Sequence, residues 1–151
     1  FKIVRGPAHI ELKVDPKKGP VLIEVGARLA GVRIPQEVKK YSNFDHYKAT
    51  IEVFVKGETT FPKRLIFTRH FAVVLCPLLE GGTVKKISGI EEITKLSGYE
   101  FHLLSLKVGE RVASSTHQAS IPLLVFLAHQ DRKKLMAEMK MVHELFQVEI
   151  K

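Results

Sequence analysis

Apolar and polar residues alternate in two short runs near the start of the chain. Ile10, Leu12 and Val14 share one face of GPAHIELKV, and Val21, Ile23 and Val25 share one face of GPVLIEVGARLAG. A period of two predicts half-buried strands over 8–14 and 20–25. Asp15-Pro16-Lys17-Lys18-Gly19-Pro20 between them is a turn-forming cluster. With Pro16–Gly19 as the tip, Ile10 pairs with Val25, Leu12 with Ile23 and Val14 with Val21, and every apolar side chain falls on one face. The same register sets Glu11 opposite Glu24 on the other face. Like charges facing across a ladder are destabilising. A divalent cation between them reverses that sign, because hard cations accept a few carboxylate oxygens and complete their shell with phosphate and water. Arg28, four residues after Glu24, offers a fork of donors to a phosphate or carboxylate. The competing reading is a solvent-facing pair partly neutralised by Lys13.

Further along, the pattern changes period. Pro35–Lys40 starts a short helix. A second helix through Asp45–Lys56 is capped by Ser42 or Asn43 and closed by Gly57, with Tyr47, Ile51, Phe54 and Val55 at core spacing. Gly57–Pro62 is the expected boundary between a domain at 1–57 and another at 63–151. Arg64–Leu78 alternates as one long strand, and Glu80-Gly81-Gly82 turns it into a strand at Thr83–Ile87. A short helix over Ile90–Leu96 follows. Two strands, Glu100–Lys107 and Arg111–Ser114, are joined by Val108-Gly109-Glu110. An apolar strand at Ile121–Ala128 leads into a helix over Asp131–Leu145 and a last strand at Phe146–Ile150. The fold class is therefore α+β, with antiparallel strands and few helices.

Composition narrows the function. The chain has 151 residues and 45% hydrophobic content, which suits a globular fold. No apolar run reaches membrane-spanning length, and no signal peptide is visible. The single cysteine, Cys76 in AVVLCPLL, rules out an intrachain disulfide, fits a cytoplasmic setting, and reads as a small core residue. His70, His102, His117, His129 and His143 are scattered without metal-ligand spacing. The net charge of +8 comes from short clusters such as Lys17-Lys18 and Arg132-Lys133-Lys134, with no nucleic-acid-binding motif around them. Ser114, Ser115 and Thr116 lack a nucleophile-elbow context.

The two glutamate segments resemble the end of an ATP-grasp domain, and more narrowly the carboxylate–amine ligase group of bacterial L-amino-acid ligases and carnosine synthase. The family pattern is H-x-E on one strand, a short turn, then [IL]-E-x-x-x-R with a glycine soon after. His9, Glu11, Ile23, Glu24, Arg28 and Gly31 match it. Gly26 stands where many ATP-grasp enzymes carry Asn, which points toward the amino-acid ligase branch and away from biotin carboxylase relatives. RHFAVVLCPLLEGGTVKKISGIEEI resembles a second stretch of the same ligases, G-x-V-x-x-I-x-G-[IL]-E-E.

The resemblance implies an antiparallel hairpin end of an ATP-grasp domain followed by a small α+β subdomain. It implies magnesium (or manganese) held by Glu11 and Glu24, with ATP as co-substrate. Arg28 would contact the phosphorylated intermediate or the acceptor, and His9 would orient the site. The activity implied is ligation of a carboxylate, activated as an acyl phosphate, to an amine, with an amino acid among the substrates. The chain opens on Phe1 close to the motif, and no segment offers the adenine pocket, phosphate-binding lysines or glycine-rich lid. The expectation is a C-terminal fragment, inactive alone, whose partners are ATP, small carboxylates and amines, the missing N-terminal part of the same protein, and a second copy in a homodimer. The alternatives are a non-catalytic docking or dimerisation module and a basic nucleic-acid-binding domain.

Overall fold

The computed structural model describes residues 4–151, and the chain divides into two compact units after Thr68. The fold is α+β, as expected. In the first unit, strands β1 (His9–Asp15) and β2 (Gly19–Gly26) form an antiparallel hairpin, followed by helices α1 (Ile34–Tyr41) and α2 (His46–Lys56).

The hairpin turn is one residue shorter than expected. Pro16–Lys18 form a three-residue loop between the paired Asp15 and Gly19. The Asp15 carboxylate accepts the N–H groups of Lys17 (2.9 Å) and Lys18 (2.8 Å), and these bonds hold its pKa below the usual carboxylate range. Gly19 sits at φ 74°, the left-handed residue that closes such a loop. The shorter loop pairs Val14 with Pro20 and Leu12 with Leu22, not with Val21 and Ile23. A bulge between Glu11 and Leu12 then absorbs one residue of β2, and Glu11 meets Glu24 after all. The hairpin is also less buried than its alternation predicts: Ile10, Leu12 and Val14 are 54%, 56% and 77% exposed.

Asp45 caps α2, accepting from Tyr47 N–H and Lys48 N–H, while Lys39 of α1 reaches its other oxygen at 2.7 Å. Neither Ser42 nor Asn43 does so, because Asn43 is used elsewhere. Its side chain donates to the Arg64 carbonyl (3.0 Å) and accepts from Ile66 N–H (2.9 Å). Thr68 N–H donates to the Tyr41 carbonyl, and Ser42 bridges to Phe67. These bonds pin 64–68 to the end of α1. They explain why the long strand expected from Arg64 begins only at His70, and why the expected boundary at Gly57–Pro62 falls inside the first unit. Gly57 closes α2 at φ 86°, as expected. Ile51, Phe54 and Val55, expected in the core, are 63–76% exposed.

The second unit contains two three-stranded antiparallel sheets. Strands β3 (His70–Cys76), β7 (Leu123–His129) and β5 (Tyr99–Leu104) form one, in the order β3-β7-β5; β6 (Arg111–Val112), β4 (Gly82–Ser88) and β8 (Gln147–Ile150) form the other, in the order β6-β4-β8. The strands at 99–104 and 111–112 are neighbours in sequence but belong to different sheets. Helices α3 (Ile90–Thr94) and α4 (Arg132–Leu145) supply Ile93, Leu135 and Val142 to a core with Val74, Cys76, Leu123, Val125 and Leu127. Phe126, on the other face of β7, stacks on Phe101 with centroids 4.1 Å apart. That second contact explains why the central strand is a continuous apolar run rather than an alternating one.

The glycine-rich motif of this unit has a packing role. A Cβ on Gly89, at φ 88°, would meet the Leu145 carbonyl carbon and oxygen at the end of α4, and one on Gly82 would meet Ile150 and the Lys151 backbone. Val84 between them is 1% exposed. Glu138 of α4 is buried and satisfied: Ser97 Oγ donates at 2.6 Å and Gly98 N–H at 2.9 Å. This latch ties the turn before β5 to α4. Burial pushes the Cys76 thiol up to about 11, so it is a core residue and not a nucleophile. Glu138→Ala should therefore destabilise the chain by about 1–3 kcal/mol in urea titrations, because two buried donors lose their acceptor. Gly89→Ala should be worse than Gly109→Ala, since at Gly109 only the positive φ opposes a side chain.

Candidate active site

The bulged end of the hairpin gathers the expected site. Glu11 and Glu24 are cross-strand partners, with Cβ atoms about 5 Å apart in such a pair. Their side chains are 52% and 57% exposed. Beyond β2 the chain turns back at once, with Arg28 N–H donating to the Gly26 carbonyl at 2.8 Å. The Arg28 side chain folds over Gly26, where an added Cβ would touch its guanidinium stem at 3.4 Å. From there one guanidinium nitrogen donates to the Leu29 carbonyl (3.0 Å) and approaches His9 Nδ1 (3.5 Å), while the other lies 3.9 Å from Glu24 Oε1. Such an exposed ion pair contributes roughly 0–1 kcal/mol, so it orients Arg28 without consuming it. His9 Nδ1 is 4.0 Å from Glu11 Oε1, too far for a hydrogen bond. His9 Nδ1 thus lies between the Arg28 guanidinium and the Glu11 carboxylate.

All four residues marked by the sequence, His9, Glu11, Glu24 and Arg28, come together in the first unit. Two carboxylates side by side, with one exposed cation nearby, suit a magnesium ion that keeps water and phosphate in the rest of its shell. They do not form a closed metal cage: no group of three or more His, Cys, Asp or Glu among the described residues has metal-binding geometry. In the second unit, His102 Nδ1 pairs with Tyr99 OH (2.8 Å), and His129 Nδ1 accepts from Asp131 N–H (2.9 Å). These single partners agree with a structural reading of the scattered histidines.

The loop from Arg28 to α1 is strained. Val32 and Arg33, both non-glycine, take left-handed conformations at φ 52° and 58°. Each such residue costs roughly 1–2 kcal/mol, more when β-branched. Strain of this kind persists where surrounding structure over-determines the backbone, commonly beside functional sites.

A feature the sequence did not reveal is an apolar cavity of about 330 Å³ in the same unit. His9 and Leu29 line it, together with Ile34, Phe44, Val53 and Phe61. Phe44 stacks on Phe61 at 5.4 Å and meets the edge of His46, which also lines the cavity. The Nδ1 atom of His46 is sealed from solvent and has no hydrogen-bond partner among the described residues. Burial lowers its pKa below the usual 6.5, outweighing the attraction of Asp45. Its sequence signal is slight: a histidine at the start of α2, two residues after Phe44.

No family model and no curated protein sequence matches the chain. Solved structures do match. L-amino acid ligase from Bacillus licheniformis is 21% identical with a TM-score of 0.80, over 99% of this chain and 37% of that one. Phosphoribosylglycinamide synthetase from Anaerococcus prevotii is 11% identical with a TM-score of 0.64, over 95% and 37%. N5-carboxyaminoimidazole ribonucleotide synthetase from Thermotoga maritima is 12% identical with a TM-score of 0.60, over 97% and 38%. The fold is one found in ATP-grasp enzymes. The chain spans a little over a third of the length of these structures. Among its described residues, no helix is long and apolar enough to cross a membrane.

Two outcomes follow from the local physics. Because the folded state disfavours protonated His46, the unfolded chain binds that proton more readily. Stability should therefore rise with pH in the window below 6.5 and level off above it. Melting curves at stepped pH should show this, and His46→Gln should flatten that window. The separate loss at lower pH, from Asp45 and Glu52 with their lowered pKa values, should remain. Val32→Gly should relieve strain and raise stability by up to about 1 kcal/mol, whereas Val32→Ala should not.

Proposed function

We propose that the first unit forms one wall of the catalytic cleft of an ATP-dependent ligase that joins a carboxylate to an amine, with an amino acid among its substrates. The observation that carries this reading is the Glu11–Glu24 pair, brought into register by a bulge beside an under-used Arg28. Opposed carboxylates on an exposed ladder are destabilising in isolation, and a divalent cation turns that cost into affinity. In this reading Glu11 and Glu24 hold magnesium or manganese. When bound, the ion neutralises charge on the phosphates of ATP as a phosphoryl group moves to the substrate carboxylate. Arg28 steadies the phosphate or the acyl intermediate through its free donors. His9 keeps Arg28 in place. The amine then displaces phosphate to form the amide.

The exposed apolar faces of the hairpin and α2 support the further proposal that more of the ligase covers this unit. Isolated residues 1–151 should then bind nucleotide weakly and turn nothing over. A reducing, cytoplasmic setting goes with this reading, since Cys76 is free and buried.

The test is direct. Manganese added with ATP should selectively broaden the NMR signals of residues 9–13 and 23–28. Glu11→Gln and Glu24→Gln should each weaken that effect by more than the roughly tenfold that loss of an outer-sphere partner costs. Broadening that survives both substitutions, or that centres elsewhere, would remove these residues from the metal role.

A further inference from the structure

We propose that the cavity beside His9 is the subsite for the side chain of the carboxylate substrate, and that this side chain is aliphatic or aromatic. This deepens the ligase reading above and rests on it. The cavity and the candidate site share residues. His9 lines the cavity, and its Nδ1 lies 3.5 Å from the Arg28 guanidinium. Leu29 also lines it and accepts the short bond from Arg28. A carboxylate or acyl phosphate held at Arg28 therefore has an apolar space next to it. Its volume, about 330 Å³, is at the lower end of the roughly 300–1,000 Å³ typical of small-molecule pockets. No Asp, Glu, Lys or Arg lines it. A charged side chain would lose its hydration there without gaining a partner, so the site discriminates against one. His46 lines the cavity, but its Nδ1 is sealed from solvent, so that atom offers the occupant no hydrogen bond and the contact is apolar.

A homologous series of ligands separates this from a passive packing gap. The 151-residue chain is titrated with acetate, butyrate and hexanoate, while the Ala30 and Ala49 methyl signals and the His46 ring signals are followed by NMR. Affinity should rise roughly fourfold per added methylene. Ala49→Phe should abolish hexanoate binding, and Ala30→Leu, a gentler filling of the same cavity, should weaken it while the spectrum of the folded chain is retained. Arg28→Ala should weaken hexanoate but leave hexanol unaffected. Binding that does not depend on chain length, or that is unchanged in both filled variants, overturns the subsite. A failed manganese–ATP experiment with intact hexanoate binding would thus count against the metal site alone, and the reverse result against the subsite alone.

Discussion

The candidate site depends on one backbone irregularity. A three-residue turn leaves β1 and β2 one residue out of the register that alternation alone would choose. Without correction, Glu11 would face Ile23 and Glu24 would face Ile10. The bulge restores the pairing at the position where it matters chemically. Bulges bend a strand, increase its local twist and re-aim side chains, and they are concentrated near active sites for that reason. Here the bulge converts two separate glutamates into a facing pair, and Arg28 reaches them because the chain reverses immediately after Gly26.

The two units differ in how they are held. The second has a conventional core in which β7 is buried on both faces, with α3 and α4 covering one of them. Its polar interior is limited to the Glu138 latch, where a buried carboxylate is matched by two donors. The first unit uses side-chain-to-backbone bonds such as those of Asp15, Asn43 and Asp45, and exposes many of its large apolar residues. Contiguous exposed apolar surface usually marks an interaction site. The unit with the catalytic candidates is therefore also the unit with the most surface to cover.

Much of this was legible in the sequence. Alternation locates both strands of the hairpin, Gly57 locates the end of α2, register and spacing single out Glu11, Glu24 and Arg28, and the family resemblance adds His9. Where structure and sequence pattern differ, packing outweighs local preference. Asn favours helix caps, but the Asn43 amide instead mimics a strand partner for residues 64–66. The spacing of Ile51, Phe54 and Val55 reports amphipathicity and not what covers the apolar face. The strands on either side of Val108-Gly109-Glu110 are adjacent in sequence yet join different sheets, because sheet membership is settled by long-range pairing.

By itself the sequence determined most element types, the presence of a turn between Asp15 and Pro20, and the helix end at Gly57, because these depend on local sterics and on periodicity. The tertiary structure decided the rest. It placed the bulge that aligns Glu11 with Glu24, the strained loop at Val32 and Arg33, and the apolar cavity that His46 helps to line. Each of these arises from segments far apart in the chain packing against one another, and no local rule contains that information.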